Sequence, residues 1–288
     1  MTEKSFNIIG LGEILWDCLP AGRQLGGAPA NFAYTSNQLG NNGIVLSRVG
    51  NDDFGKEVLE QLQIKNLSTN SIQIDLEKQT GVVNVTLENG QPSYNIVENV
   101  AWDNLELTEN WREIAKIADA VCFGSLAQRN ENSRKTIREF VGLTNGLRIF
   151  DVNLRQEYFS KEILRESLML ANICKLNHEE LPIVAELFEI AGNNIIETAQ
   201  NLRREFNLKL LCVTRGSNGS LLITENDLSE FAGLKITVAD TIGAGDAFTS
   251  GMTHGLLRNW GLDKINKFAN KVGAFVASNT GAMPDFSR

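Results

Sequence analysis

Histidine and cysteine are scarce in this chain of 288 residues, which contains two histidines, His178 and His254, and four cysteines. No two cysteines form a C-x-x-C pair, and two histidines are too few for a zinc site of the usual spacing. Cys122, Cys174 and Cys212 each lie within a short apolar run, so we expect them to be buried and reduced. The sequence therefore argues against a zinc site and suggests no histidine partner for a cysteine nucleophile.

Positive charge is also in short supply, because 27 Lys and Arg face 35 Asp and Glu, for a net charge of −8. A surplus of negative charge argues against general binding to nucleic acid or to an anionic membrane, although it does not exclude a local basic pocket. No uncharged apolar run approaches the roughly 20 residues that span a bilayer. Residues 1–20 lack the features of a signal peptide. We expect a cytoplasmic protein with neither a nucleic-acid nor a membrane partner.

Alternating helix and strand patterns occupy most of the chain, which is 42% hydrophobic. Strands are predicted at about 6–12, 43–49, 119–123, 147–151, 172–176 and 209–214. Helices are predicted within 25–40 and at about 54–65, 109–117, 131–143, 160–170, 178–188, 194–206 and 262–278. This alternation predicts a three-layer α/β/α fold whose central, mostly parallel sheet is covered by helices on both faces. We expect a single domain over residues 1–288.

Residues 71–98 have a different pattern. Residues 71–75 alternate between polar and apolar, and residues 81–97 alternate around Asn89-Gly90, which is a strong hairpin signal. Such half-exposed strands predict a small antiparallel sheet that stands off the main sheet. It fits a lid that excludes water from a ligand cleft, or a sheet extension used for dimerisation, and both can hold in one homodimer.

The segment from Asp240 to Asp246 places two carboxylates around a turn of Gly243, Ala244 and Gly245, and a helical pattern follows at once. Glycines leave backbone N–H groups unobstructed, and the helix dipole favours an anion at that end. A carboxylate beside a phosphate suits a base that takes a proton from an attacking hydroxyl, which predicts that role for Asp246. A plain glycine turn with an aspartate cap is the alternative.

Polar side chains also follow the predicted strands at the edge where such sheets bind ligands. Glu13 and Asp17 follow the first strand, and solvated acids are the simpler interpretation of that pair. Arg155, in the segment 151–155, suits a phosphate or carboxylate. Asn177 and Glu180 suit a hydrated Mg²⁺, although helix capping also explains an asparagine at such a position.

Two segments join these motifs into one pattern. Residues 26–31 (Gly-Gly-Ala-Pro-Ala-Asn) lead to residues 49–55 (Val-Gly-Asn-Asp-Asp-Phe-Gly), and residues 240–248 follow near the C-terminal end. On these motifs the chain resembles the ribokinase-like (PfkB-type) family of carbohydrate kinases over nearly its whole length. The resemblance implies a ribokinase-like fold, a lid completed by residues of about 13–26, and ATP-dependent phosphorylation of a sugar hydroxyl. The absence of Walker and protein-kinase motifs fits a distinct phosphate cradle.

The resemblance also implies a role for each matching residue. Asp246 matches the catalytic base, and the backbone of Gly243, Ala244 and Gly245 matches an anion hole for the transferring phosphoryl group. The sugar-binding positions match Asp17, Gly27, Asn31, Asn153 and Arg155. The positions for ATP match Asn177, Thr214, Gly216, Gly219 and Asn270. Glu180, with Asn177, matches the motif that organises Mg²⁺ through water, and the K⁺ positions match Asp240, Ile242, Asn279 and Gly281.

The sugar is indicated by residues 10–17 and 25–31, which look most like fructokinases. Keto-deoxygluconate kinases usually carry a Tyr-Arg pair after the lid strands, whereas residues 92–98 contain no arginine, and Glu98 facing the cleft would repel an acidic sugar. Many fructokinases carry an aromatic–arginine pair here too. We therefore expect a fructokinase, with ribokinase, a nucleoside kinase and a non-catalytic sugar sensor as alternatives.

Overall fold

The structure is a computed structural model that describes residues 4–19, 22–88 and 91–286. Its strands are β1 (Asn7–Leu11), β2 (Leu15–Leu19), β3 (Gly22–Gly26), β4 (Asn42–Leu46), β5 (Arg48–Gly50), β6 (Gln73–Asp75), β7 (Gly81–Glu88), β8 (Gln91–Ile96), β9 (Ala120–Phe123), β10 (Leu147–Asp151), β11 (Ile173–Asn177), β12 (Leu210–Thr214), β13 (Ser220–Ile223) and β14 (Leu228–Phe231). Its helices are α1 (Ala28–Gln38), α2 (Asp53–Ile64), α3 (Glu109–Ile117), α4 (Glu131–Leu143), α5 (Lys161–Leu170), α6 (Glu180–Leu187), α7 (Ile195–Glu205), α8 (Ala244–Leu257) and α9 (Leu262–Ala277).

The central sheet has eight strands in the order β14-β13-β12-β11-β10-β9-β1-β4. The six strands from β12 to β4 in this order run parallel, so their carboxyl ends share one edge. The last two strands extend the sheet as an antiparallel meander. The predicted mostly parallel sheet is confirmed, and its shared carboxyl edge is where such sheets place ligands.

Helices cover both faces of this sheet. Because side chains alternate along a strand, Ile8 and Ile9 of β1 face opposite layers. Ile8 packs in a cluster with Phe32 of α1 and Phe248 of α8. Ile9 belongs to a second cluster, to which α3 to α7 contribute side chains such as Trp111, Phe140, Leu164, Val184 and Leu202. The three-layer α/β/α architecture is therefore confirmed.

The predicted helices match the observed ones closely, but one predicted strand is wrong. Residues 43–49 form two strands that part at Ser47, because β4 pairs with β1 while β5 pairs with β6 in a small parallel sheet. Ser47 accepts a hydrogen bond from the Gln73 backbone N–H at 2.9 Å, which begins the second pairing. Among the described residues, no helix combines the length and apolar character needed to cross a membrane.

The lid is a separate sheet of four strands in the order β3-β2-β7-β8. The expectation of an antiparallel sheet that includes residues 71–75 is wrong, because β6 belongs to the small sheet with β5 and because β2 and β7 run parallel. β7 and β8 pair antiparallel as predicted, with Glu88 opposite Gln91. The predicted turn at Asn89-Gly90 lies outside the described residues.

A buried ion pair anchors the base of the lid. Arg129 donates to both carboxylate oxygens of Asp103, at 2.8 and 2.9 Å, and to the carbonyl of Val97 just beyond β8, at 2.6 Å. Its guanidinium lies 4.0 Å above the ring of Trp102, which is fully buried. A Cβ on Gly81 would collide with the Trp102 indole, so a glycine is required where β7 leaves this anchor.

We predict that Asp103→Asn lowers the free energy of unfolding by about 3–5 kcal/mol, because it leaves the Arg129 charge buried without its carboxylate. The side chains of Arg129 and Asp103 are only 6% and 2% exposed, so water cannot take the place of the lost partner. Urea denaturation measures the change. A loss below about 1 kcal/mol, the value of a typical exposed ion pair, would contradict this account.

Candidate active site

The turn before α8 has the backbone of an anion site. Gly243 adopts φ 76° as the residue before the helix, and a Cβ there would lie 2.6 Å from the Cβ of Ala282. The Ala244 N–H makes a long hydrogen bond of 3.3 Å to the Thr241 carbonyl. Amides in the first turn of a helix have no intrahelical partner, so this end of α8 presents donors and a positive dipole to the cleft.

Asp240 holds this turn against the loop that follows α9. One of its carboxylate oxygens accepts from the Ile242 N–H at 3.0 Å, and the other accepts from the Gly281 N–H at 3.2 Å. Three of the four residues matched to K⁺ binding are thus brought together. The side chain of Asn279 instead donates to the Phe275 carbonyl at 2.7 Å. Asp240 acts here as a structural carboxylate.

Asp246 lies in the first turn of α8, where the side chain of Asn31 donates to its Oδ2 at 2.8 Å. Burial, followed by the nearby Asp151 carboxylate, raises the pKa of Asp246 to about 6. The hydrogen bond from Asn31 and the charges of Lys175 and Arg155 oppose this rise. Asp246 is therefore ionised at neutral pH, yet its pKa is close enough to neutrality for it to exchange a proton readily.

Two of the residues matched to sugar binding act on Asp246, Asn31 through a hydrogen bond and Arg155 through its charge. Gly27 has φ 117°, and a Cβ there would lie 2.6 Å from the Glu13 carbonyl, so the start of α1 approaches the β1–β2 connection closely. Asp17 of the lid strand β2 has a pKa raised by burial and lowered in part by Arg155. Arg155 therefore acts on the Asp17 carboxylate of the lid and on the Asp246 carboxylate of the cleft.

Arg155 follows β10 on a tightly bent segment. Asn153 and Gln156 have φ values of 41° and 47°, a left-handed conformation that is uncommon outside glycine. Ser125 fixes the start of this segment by donating to the Val152 carbonyl at 2.8 Å. The bend leaves the Arg155 side chain exposed among the carboxylates at the cleft, where it can meet a phosphate or a sugar oxygen.

Asn177 and Glu180 form a reciprocal cap at the start of α6. Asn177 accepts from the Glu179 and Glu180 N–H groups at 2.8 and 2.9 Å, and Glu180 accepts from the N–H groups of Asn177 and Leu154 at 2.8 and 2.9 Å. Helix capping is thus part of their role. The described residues include no group of three His, Cys, Asp or Glu able to enclose a metal. The buried Glu180 carboxylate fits a Mg²⁺ held through its own waters, as Mg²⁺ commonly is.

The residues matched to nucleotide binding gather around the turn between β12 and β13. Gly216 and Gly219 have positive φ, and a Cβ on Gly219 would collide with the Phe231 carbonyl, whereas space beside Gly216 is open. Asn270 of α9 donates to Ser220 Oγ at 2.7 Å, which ties the last helix to the strand after this turn. Thr214 ends β12, and its carbonyl accepts from the His178 N–H at 2.9 Å.

Comparison with known proteins agrees with this geometry. Residues 20–287 match the pfkB family of carbohydrate kinases. The chain belongs to that family. It is therefore a sugar kinase, a phosphotransferase with an alcohol group as acceptor.

Individual relatives share most of their length with this kinase. An uncharacterized sugar kinase from Pyrococcus horikoshii is 35% identical over 269 residues, which cover 89% of this chain and 82% of that protein. Its structure has a TM-score of 0.83 at 32% identity and covers 96% of this chain and 93% of its own, and it has also been solved with ATP. The fructokinase of Escherichia coli is 29% identical over 95% of this chain and 94% of that protein. A fructokinase from Vibrio cholerae, bound to fructose, ADP and a calcium ion, has a TM-score of 0.82 at 25% identity and covers 98% and 95%.

Two charged residues of this kinase were not predicted as site residues. They lie beneath the turn of Gly243, Ala244 and Gly245, called the anion turn below. Lys175 Nζ donates to Asp151 Oδ1 at 2.9 Å, and Thr249 of α8 donates to Asp151 Oδ2 at 3.0 Å. Burial alone would lower the pKa of Lys175, but the carboxylates of Asp151 and Glu180 outweigh it and hold that pKa above its ordinary value. The available signal was a lysine inside an otherwise apolar strand, between Cys174 and Leu176.

The simpler interpretation of Glu13 as a solvated acid is wrong. Glu13 is 4% exposed, and its Oε2 has no hydrogen-bond partner in the described part of the chain. Burial raises the pKa of Glu13 to about 7, and the charge of Asp246 contributes to the rise. The carboxyl end of β1 therefore adds a second acid to the cleft, where an incoming hydroxyl can satisfy its open oxygen.

We predict that Gly243→Ala lowers kcat by roughly 10²-fold, the loss found when one donor of a comparable oxyanion site is removed. The added methyl would push against Ala282 and displace the turn. Gly40→Ala is the matched control, because Gly40 also has positive φ, 81°, yet a Cβ there meets nothing within 4 Å. Both variants should lose about 1–2 kcal/mol of stability from left-handed strain. Equal kcat in steady-state assays of the two variants would contradict a special role for the turn.

Proposed function

We propose that this kinase transfers the γ-phosphate of MgATP to a primary hydroxyl of a neutral sugar, with fructose as the favoured substrate. The observation that carries the proposal is the contact of 2.8 Å between Asn31 and Asp246. It places an amide suited to a sugar hydroxyl beside a carboxylate suited to deprotonating one, at the helix end suited to the phosphoryl group.

In the proposed reaction, a sugar hydroxyl held by Asp17, Gly27 and Asn31 gives its proton to Asp246. The sugar oxygen then forms a bond to the γ-phosphorus as the bond from that phosphorus to the β,γ-bridging oxygen breaks, and ADP leaves with the electron pair. The amides of the Gly243-Ala244-Gly245 turn stabilise charge on the phosphoryl oxygens. The raised pKa of Asp246, about 6, suits a base that is ionised before transfer and accepts a proton during it.

ATP is assigned to the turn between β12 and β13, in reach of α9. Asn177 and Glu180 would hold Mg²⁺ through water, and when bound this ion neutralises charge on the phosphates. Arg155 adds a cation beside them, because the N–H of the preceding residue, Leu154, donates to Glu180. K⁺ beside the Asp240 turn and a homodimer through the lid stay predictions.

The preference for a neutral sugar rests on the charges around the acceptor site. Three carboxylates contribute to this site, those of Glu13, Asp17 and Asp246. Arg155 lowers the pKa of each of them. Glu98, which would repel an acidic sugar if it faced the cleft, accepts a hydrogen bond from the Tyr158 hydroxyl at 2.9 Å. The likeness to fructokinases from E. coli and V. cholerae supports fructose within the neutral sugars.

The substrate proposal predicts the outcome of a coupled ADP-release assay with a panel of fructose, ribose, glucose, keto-deoxygluconate and a nucleoside. Fructose should give the highest kcat/KM, and ATP turnover without sugar should be weak, since the hydroxyl acceptor is then missing. NMR of the product identifies the phosphorylated oxygen. A higher kcat/KM for the nucleoside or the acidic sugar would reject fructose, and sugar binding without turnover on any member would indicate a sensor.

The role of Asp246 predicts that Asp246→Asn removes most turnover, at least 10²-fold in kcat, because general-base catalysis typically contributes that much or more. Asparagine keeps an oxygen for the Asn31 amide, so folding and ATP binding should persist. Thermal unfolding and ATP titration by calorimetry provide those controls. Turnover near the wild-type rate in the purified variant would show that another group is the base.

A further inference from the structure

A buried lysine lies where the sheet meets the catalytic helix. Lys175 of β11 and Asp151 of β10 are paired across neighbouring strands, with their Cα atoms in register. Their side chains are 8% and 6% exposed, and Lys175 Nζ lies 2.9 Å from Asp151 Oδ1. Since Ile149 and Ile173, two residues earlier on the same strands, pack in the cluster beneath α8, alternation along a strand directs both charges toward that helix.

The first turn of α8 lies directly over this pair. A Cβ on Gly245 would lie 3.3 Å from Lys175 Nζ, so the ammonium lies against the last residue of the anion turn. Thr249 Oγ1, one helical turn later, lies 3.0 Å from both Asp151 Oδ2 and the Gly245 carbonyl. The helix that carries Asp246 is therefore fixed to the sheet through a charged network rather than through apolar contacts alone.

Stability does not account for such a pair. Replacing a buried ion pair by apolar side chains of similar volume is often neutral or stabilising, because desolvation offsets the attraction between the charges. Unlike an apolar pair, the Lys175–Asp151 pair holds an ammonium in a fixed position beneath the turn. Asp151 takes one of its three N–H groups, and the remaining charge faces the end of α8 at which an anion binds.

We propose that Lys175 is a positioning residue for phosphoryl transfer: held by Asp151, its ammonium reinforces the anion turn and favours the ionised form of Asp246. The inference rests on the proposed role of Asp246 as the base. It also gives a reason for glycine at the last position of the turn, since a Cβ on Gly245 would lie only 3.3 Å from the ammonium.

The charged groups that act on Asp246 come from every element around it. Glu13 approaches from the end of β1, Asp151 from β10, Lys175 from β11 and Arg155 from the segment after β10. The two carboxylates disfavour its ionised form, and the two cations favour it. Changing either partner of the buried pair should therefore move the acid limb of the kcat/KM profile, and the two partners should move it in opposite directions.

The test compares Asp151→Asn with the double variant Asp151→Asn/Lys175→Met. The base must be ionised, so kcat/KM falls as pH drops through the pKa of Asp246. Asp151→Asn removes a negative neighbour and should move this limb to lower pH. Adding Lys175→Met should move it back up and lower kcat by roughly 10²-fold, the loss expected for one electrostatic group at a comparable site. The double variant leaves no unpaired charge, so its Tm should stay close to that of the wild type.

Arg48→Met/Asp75→Asn is the control for loss of an ion pair elsewhere, because the side chains of that pair are 14% and 6% exposed and lie outside the lid and the cleft. Its acid limb should match the wild type. A double variant at 151 and 175 with the acid limb and kcat of Asp151→Asn would overturn the inference, as would a double variant that fails to fold, since the pair would then be structural. Activity in Asp246→Asn would instead contradict the proposed function. The protonation of MgATP changes with pH in the same way for every variant. Differences in the acid limb between variants therefore arise from the protein.

Discussion

The hydrogen bond from Asn31 to Asp246 joins residues that are 215 positions apart in the chain. It forms because α1 and α8 cover the same face of the sheet and both begin at its carboxyl edge. Each helix starts at a glycine with positive φ, Gly27 and Gly243, and in each the missing Cβ allows close contact with another segment. The site is thus formed where two helix N-termini meet, with backbone amides at the start of α8 and the Asn31 side chain at the start of α1. The proposed phosphoryl and sugar positions rest on this difference between the two helices.

Charge balance constrains what surrounds this meeting point. Glu13, Asp151, Glu180 and Asp246 lie close together with few cations, in the region that the proposed function assigns to the phosphates of ATP. Such a cluster would repel ATP unless each carboxylate had a partner. Glu180 is neutralised by backbone N–H groups, and Asp151 by Lys175. Asp246 accepts a hydrogen bond from the neutral Asn31 amide, and Glu13 Oε2 has no hydrogen-bond partner among the described residues. These are the two carboxylates of the group whose pKa is raised, and they lie next to the proposed site of the sugar hydroxyl.

Features set by local chemistry were predictable from the sequence. Asp52, Thr108, Ser160 and Asn194 cap their helices with side-chain oxygens, and these local caps explain why the helices start within a residue of the predicted positions. Features set by distant pairing were not. The division of residues 43–49 depends on β6, which lies more than twenty residues later, and the Lys175–Asp151 pair depends on strand register. The lid was recognised from its alternation, but its parallel β2–β7 pairing joins segments that no local pattern connects.

The lid and the catalytic face meet through Tyr158. Its hydroxyl donates to Glu98 and lies 3.2 Å from the Ile96 carbonyl at the end of β8, while Arg129 lies 4.8 Å above its ring. Tyr158 belongs to the bent segment that carries Arg155. A shift of the lid strands would therefore displace Arg155, the cation that lowers the pKa values of both Asp17 and Asp246. In the proposed function, closure of the lid over a sugar would therefore also move Arg155, through the aromatic and ionic contacts that hold the base of the lid in place.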